Sequence, residues 1–200
     1  MTSYIDELSA LLVPFGDDAG KAGDVIDWVV VESAYGTAFP EDYKEFVRRF
    51  GNGTIEGMIA TLIPIATSDS MVRRVAPLPD SVRADPDFDR WAEQCNDASN
   101  IRELDRILVW GETDSADVLG WIVSGSDPGA WPIAVYARGD AAWAVYRCGM
   151  VEFLLKLLRA GFAECPISDT SLVGKSHPRF LHDRGEELLA ERGIYPWEEN

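Results

Sequence analysis

Apolar positions recur every three or four residues near the start of the chain, then switch to short alternating runs beyond Ile107. Ile5, Leu8, Leu11 and Leu12 predict a first helix over about Tyr4 to Val13. Ser3, followed three residues later by Asp6, supplies its N-terminal cap. Gly16, Gly20 and Gly23 make the stretch from Pro14 to Gly23 a loop. Asp24 is placed to cap a second helix, in which Val25, Trp28, Val29 and Glu32 recur at spacings of three and four. The β-branched run Val29–Val31 opposes that helix. Trp28 is expected to anchor the core, and Gly36 to close the helix in the left-handed conformation.

The stretch from Glu32 to Gly53 is the densest local signal. Pro40 opens a third helix, and Glu41 and Asp42 set negative charge at its positive end. Tyr43, Phe46, Val47 and Phe50 then form one apolar stripe. Gly51-Asn52-Gly53 reads as a tight turn, with Gly53 serving it, into a strand-like run from Thr54 to Ile65. Gly57 inside that run marks a bulge or a close backbone approach. Met71 to Arg83 reads as irregular or a short edge strand. Asp85-Pro86 then starts a helix with Phe88, Trp91, Ala92 and Cys95 on one face.

Ile107 to Trp110, Leu119 to Val123, Trp131 to Tyr136 and Ala141 to Tyr146 predict four strands, separated by turns at Gly111–Asp117, Gly125–Gly129 and Arg138–Asp140. Such short connections require antiparallel pairing. Val151 to Leu158 predicts a closing helix, and Glu186 to Glu191 a short one. The fold class is therefore α+β, an antiparallel multi-stranded sheet packed against helices. Residues 1–162 are expected to form the domain, N-terminal helices included, and 163–200 an extension docked through Ile194, Tyr195 and Trp197.

Charge narrows the function classes. Thirty-four acids face eighteen lysines and arginines, a formal net charge of −16. Nonspecific nucleic-acid binding needs a positive surface and is not expected; a basic partner, or simple solubility, fits. The three cysteines, Cys95, Cys148 and Cys165, are odd in number and widely spaced, which speaks for a reducing, cytoplasmic setting. No leader pattern is evident, and no run approaches the roughly 20 apolar residues of a membrane helix.

Candidate chemistry is sparse. The N-terminal glycines do not make GxGxxG, and Gly51-Asn52-Gly53 follows a helix rather than a strand. His177 and His182, the only histidines, lack HExxH spacing. Cys148 precedes a helix, where the dipole lowers a thiol pKa in principle, but no histidine is placed beside it. No catalytic group, cofactor or metal is expected. Trp110, Trp121, Trp131 and Trp143 lie on predicted strands and, without basic companions, read as core rather than base-stacking residues. The acidic turns remain as partner-binding candidates: Glu112, Asp114, Asp117 and Asp127, which would form a negative rim beside Trp110 or Trp131 if their loops share one edge of the sheet.

The residues from Trp28, Glu32 and Gly36 through Phe39-Pro40-Glu41-Asp42-Tyr43 to Phe46 and Asn52-Gly53 resemble the SMI1/KNR4, or SUKH, superfamily. The likeness resumes at Ile107–Trp110 and Gly120-Trp121 and ends at Phe153-Leu154, with an inserted segment from Pro77 to Asn100. The resemblance implies helices packed on an antiparallel sheet, with Trp28, Tyr43 and Phe46 as packing residues. It also implies a non-enzymatic role. Bacterial members look like immunity proteins that bind a toxin domain and block its active site, whereas fungal relatives are scaffolds or regulators. A toxin domain is thus the expected partner, and a basic nuclease would complement the charge. A non-enzymatic interaction or regulatory scaffold is the alternative, and an enzyme, which would need an organised cleft with a nucleophile, carboxylate pair or metal, ranks third.

Overall fold

The structure, a computed structural model, describes residues 3–15, 23–65, 74–92 and 103–197. Helix α1 spans Tyr4–Leu11, with Asp6 N–H donating to the Ser3 hydroxyl as the capping pattern requires. Helix α2 spans Trp28–Tyr35. Its cap is Asp27, which accepts from Val30 N–H at 3.2 Å, not Asp24 as the sequence predicts. Asp24 is instead drawn to the C-terminal segment, where it meets Asn52 N–H, His182 and Arg184. Gly36 ends α2 in the left-handed region at φ 67°. Helix α3, Glu41–Arg49, starts at Pro40 and buries Tyr43, Phe46 and Val47, as its stripe foretells. Residues Cys95, Gly16, Gly20 and Met71, on which some sequence expectations fall, lie outside the described residues.

The Thr54–Ile65 run is not one bulged strand. It splits into β2 (Gly53–Ile55) and β3 (Ile59–Thr61), paired antiparallel. Glu56 (φ 53°) and Gly57 (φ 68°) form the turn between them. Two successive positive φ values give the twist that suits a tight hairpin. Gly53 stands in a strand rather than in the turn. A side chain there would lie 2.4 Å from the Leu181 carbonyl oxygen, so the neighbouring strand requires glycine. Gly51, at φ 78°, makes the turn.

The remaining strands are β4 (Ala76–Pro77), β5 (Ile107–Thr113), β6 (Val118–Ile122), β7 (Ile133–Ala137), β8 (Ala142–Tyr146) and β9 (Arg179–His182), with a four-residue helix α4 at Asp80–Arg83. Pairing among the described residues runs β1-β9-β2-β3-β5-β6-β7-β8, where β1 is Val13–Pro14 and β4 lies beside β5. The β5-to-β8 meander is antiparallel throughout. Thus β9, from the C-terminal segment, sits inside the sheet, antiparallel to β2 and parallel to β1. Helix α5 (Met150–Leu158) and helix α6 (Asp183–Glu191) complete the chain.

Aromatic rings join the helices to one sheet face. Tyr43 lies edge-on to Trp121 at 4.8 Å, Phe153 to Trp110 at 6.3 Å, and Phe180 packs on Phe50 at 5.3 Å. The other face is covered in part by the segment before β5. Phe88 stacks on Tyr136 at 4.4 Å, and Trp143 donates its indole N–H to the Phe88 carbonyl at 2.8 Å. A helix is expected through Phe88, Trp91, Ala92 and Cys95; up to residue 92, where the described residues end, the structure has instead one 3-10 turn at Pro86–Phe88 and a parallel bridge of Trp91 to Trp143. The edge strand β8 takes up the backbone around Trp91 through two hydrogen bonds, Ala92 N–H to the Trp143 carbonyl and Trp143 N–H to the Arg90 carbonyl, each at 2.8 Å.

Trp28 is only partly buried. It packs on Phe39 and Tyr43 at 5.7 and 6.1 Å, with Lys44 over its outer face. Val25 and Val29, expected on the same helix face, are 97% and 81% exposed. At the C-terminal end Trp197 packs against Phe15 at 6.0 Å, but Ile194 and Tyr195 are exposed.

Candidate partner-binding surface

The four acidic candidates do not share one rim. Consecutive connections of an antiparallel meander lie at opposite ends of the strands. The β5–β6 turn with Asp114 therefore stands at one end, and Asp127, between β6 and β7, at the other. Glu112 is not in a turn at all. It lies on β5, half-buried, in register with Ala60 and Val118. Asp114 is exposed, and its N–H bonds the Met58 carbonyl at 2.9 Å.

Asp117 is fully buried. Its carboxylate accepts from the Thr113 hydroxyl at 2.9 Å, Arg138 N–H at 2.7 Å, Ser168 N–H at 2.8 Å and the Ser168 hydroxyl. A carboxylate with this many donors is an internal fastener, because burying it unpaired would be prohibitive. This corrects its expected place among the partner-binding residues of an acidic turn; Ser168, which draws it inward, is remote in the chain.

Asp127 occupies a richer setting. Its side chain accepts from Gly129 N–H at 3.0 Å and shapes the 3-10 turn Pro128–Ala130, which places Trp131 just before the start of β7. Between this turn and the start of α3 lies a hollow of about 310 Å³. Phe39, Pro40, Trp121, Pro128 and Trp131 wall it, and Glu41, Asp42 and Asp127 supply carboxylates. Trp121 and Trp131 are 0% and 2% exposed. Neither indole N–H has an acceptor among the described residues.

Asp42 is the innermost acid. It accepts from Val151 N–H at 3.2 Å and so caps α5, whose own N-cap, Gly149, has no side chain to do so. A Cβ at position 149 would stand 2.5 Å from the Asp42 carboxylate, so a side chain there would displace the cap. Burial pushes the Asp42 carboxyl above its ordinary value, against the hydrogen bonds from Val151 and Tyr43. Trp121 and Trp131 were legible only as core. The Asp127-Pro128-Gly129 turn signal two residues before Trp131 was the available sign that this ring stands beside a loop, just ahead of a strand.

A second hollow, of about 400 Å³, lies between α6 and the β2–β3 hairpin and is lined by Asp183, Glu186 and Glu187. Burial and the nearby Asp183 raise the Glu186 carboxyl. Cys148 is not an activated thiol: burial, with Glu152 adding to it, pushes it up to about 11. His177 and His182 come to different places in the structure, and His182 caps α6 by accepting from Arg184 N–H. Among the described residues no helix is long and apolar enough to cross a membrane.

The sequence model of the SMI1/KNR4 family (SUKH-1) matches residues 24–165. No curated protein and no solved structure matches the chain.

Proposed function

From its membership of the SMI1/KNR4 (SUKH-1) family, to which this chain belongs, we propose that it is a cytoplasmic immunity protein of the bacterial type. It binds a toxin domain and blocks the active site or substrate groove by noncovalent obstruction, with no catalytic step of its own. Family membership over 24–165 is the observation that carries this reading. The acid-rimmed hollow beside Asp127 agrees with it, because it offers a concave, negatively charged surface to a basic partner.

The net charge of −16 favours a basic partner, for which a nuclease is the simplest candidate. Of the four acids, Asp114 and Asp127 are free to meet a partner from solution, while Glu112 is half-buried and Asp117 is internal.

The test is co-expression with the toxin encoded beside this gene, then pull-down and an inhibition assay on purified proteins. Binding with loss of toxin activity is expected, and Asp127→Lys should slow association and flatten its salt dependence. A neighbouring toxin that neither binds nor is inhibited would sink the pairing. Capture of a housekeeping partner alone would replace immunity with a regulatory scaffold.

A further inference from the structure

We propose, resting on the interaction reading above, that the outer face of α2 is where the protein partner docks, and that the partner meets it with apolar side chains flanked by lysine or arginine. Helix α2 turns Val31 into the core and lays Trp28, Glu32 and Tyr35 partly against it. The opposite face carries Val29, Val30, Ser33 and Ala34, all exposed. Residues three and four apart on a helix are neighbours, so these four make one patch. Val29 is 81% exposed, Val30 53%, and Val25, just ahead of the helix, 97%. Neither burial nor helix propensity within this chain accounts for such valines. They stand at the surface, and β-branched residues lose side-chain freedom in a helix. The outer faces of α1, α3 and α6, by contrast, carry exposed charges, Asp6, Arg48 and Glu187 among them.

Charge selects the occupant. Asp27, the N-cap of α2, is exposed at one end of the patch. At the other end α2 has no basic residue in its last turn, so no side chain of the helix offsets the negative end of its dipole. From there the chain leads through the exposed Ala38 to the hollow with Glu41, Asp42 and Asp127. Lys44 lies 2.7 Å from Glu32 and 2.8 Å from Glu41, so one cation is shared by two acids. An uncharged centre between negative ends fits a partner with the converse arrangement, apolar side chains between cations. A second copy of this chain would bring its own net charge of −16 to the contact, and an anionic membrane surface meets the same repulsion.

The experiment uses the full purified chain and the toxin domain encoded beside its gene, with affinity and rates read by biolayer interferometry at low and high salt. Val29→Ala combined with Val30→Ala should weaken binding at least about tenfold, mostly through faster dissociation. The same pair should raise the thermal midpoint by roughly 2–4 °C, because alanine is the better helix former. Residues that merely support the fold would instead lose binding and stability together. Asp27→Asn keeps a capping side chain but drops the charge, and should slow association at low salt. Toxin binding by the alanine pair as tight as by the unmodified chain would overturn this surface and leave the immunity reading standing. No binding by the unmodified chain would overturn both. A lowered midpoint for the alanine pair would show that the valines are structural and overturn the surface. Sedimentation of the chain alone tests the remaining occupant: a dimer that the alanine pair dissolves would give the face to a second copy and overturn the assignment to a basic partner.

Discussion

Asp114 and Asp117 stand three residues apart and have opposite fates. Asp114 is solvated, whereas Asp117 joins the end of β5, the β7–β8 turn and Ser168 through four donors. Removing the Asp117 carboxylate would take the acceptor from the part-buried backbone N–H groups of Arg138 and Ser168. Asp117→Ala is therefore expected to lower unfolding free energy by about 3 kcal/mol, and Asp114→Ala to change it by less than about 0.5 kcal/mol. Urea unfolding of both variants checks this, and equal small effects would show that the buried network contributes nothing. The sequence could not separate the two residues. Both sit in a polar stretch after a strand, and the difference depends on Ser168, 51 residues further on. Gly36 and Pro40 were legible for the opposite reason, because their roles depend on their own dihedral angles and immediate neighbours.

Local grammar also decided which elements were readable. Helix α3 has a proline start, acids in its first turn, arginines in its last and a continuous stripe between, so its sequence leaves one face to bury. Phe46 is fully buried on that face, with Phe50 at 5.0 Å and Phe180 at 6.1 Å. Phe46→Ala should cost about 3–5 kcal/mol in denaturant unfolding. Trp28→Ala should cost less, despite the larger side chain, because α2 leaves that ring partly solvated under Lys44. A Trp28 variant as damaged as the Phe46 variant would show that the ring is a buried anchor after all. In α2 the valines point the other way from the pattern, since Val29 is 81% exposed. The meander from β5 to β8 was readable from alternation and turns, but β9 was not. Four residues, RFLH, are too few and do not alternate, so they announce no strand, and their partners β1 and β2 lie far back in the chain.

At the scale of the molecule, β9 makes the C-terminal segment part of the sheet, and two half-buried carboxylates hold it there. Asp24 meets Asn52 N–H at 2.7 Å, Arg184 at 2.6 Å and His182 at 3.2 Å. Glu56, in the β2–β3 turn, meets Arg179 at 2.9 Å and Lys175 at 3.0 Å. Burial opposes ionisation of each, but these partners outweigh it and hold both carboxyls down at about 2. The ordinary values are 3.8 for Asp24 and 4.5 for Glu56. Because the folded values lie below the unfolded ones, the stabilisation is complete above about pH 5. It is lost as pH falls through the interval from about 4 to 2. At roughly 1.4 kcal/mol per pKa unit, each carboxylate contributes on the order of 2–3 kcal/mol near neutrality. Both act on one segment, so acid should loosen β9 and α6 before the α3–α5 core. Amide hydrogen exchange at pH 6, 4 and 3, corrected for the intrinsic rate, should show protection falling first at Phe180–His182 and in α6. Trp197, which lies under Arg179 and against Phe15, should change fluorescence over the same interval. Asp24→Asn combined with Glu56→Gln should lower protection of β9 at pH 6 and flatten its pH dependence. If β9 and the core instead lose protection together in the unmodified protein, the carboxylates stabilise the whole fold rather than fastening the segment that closes its sheet.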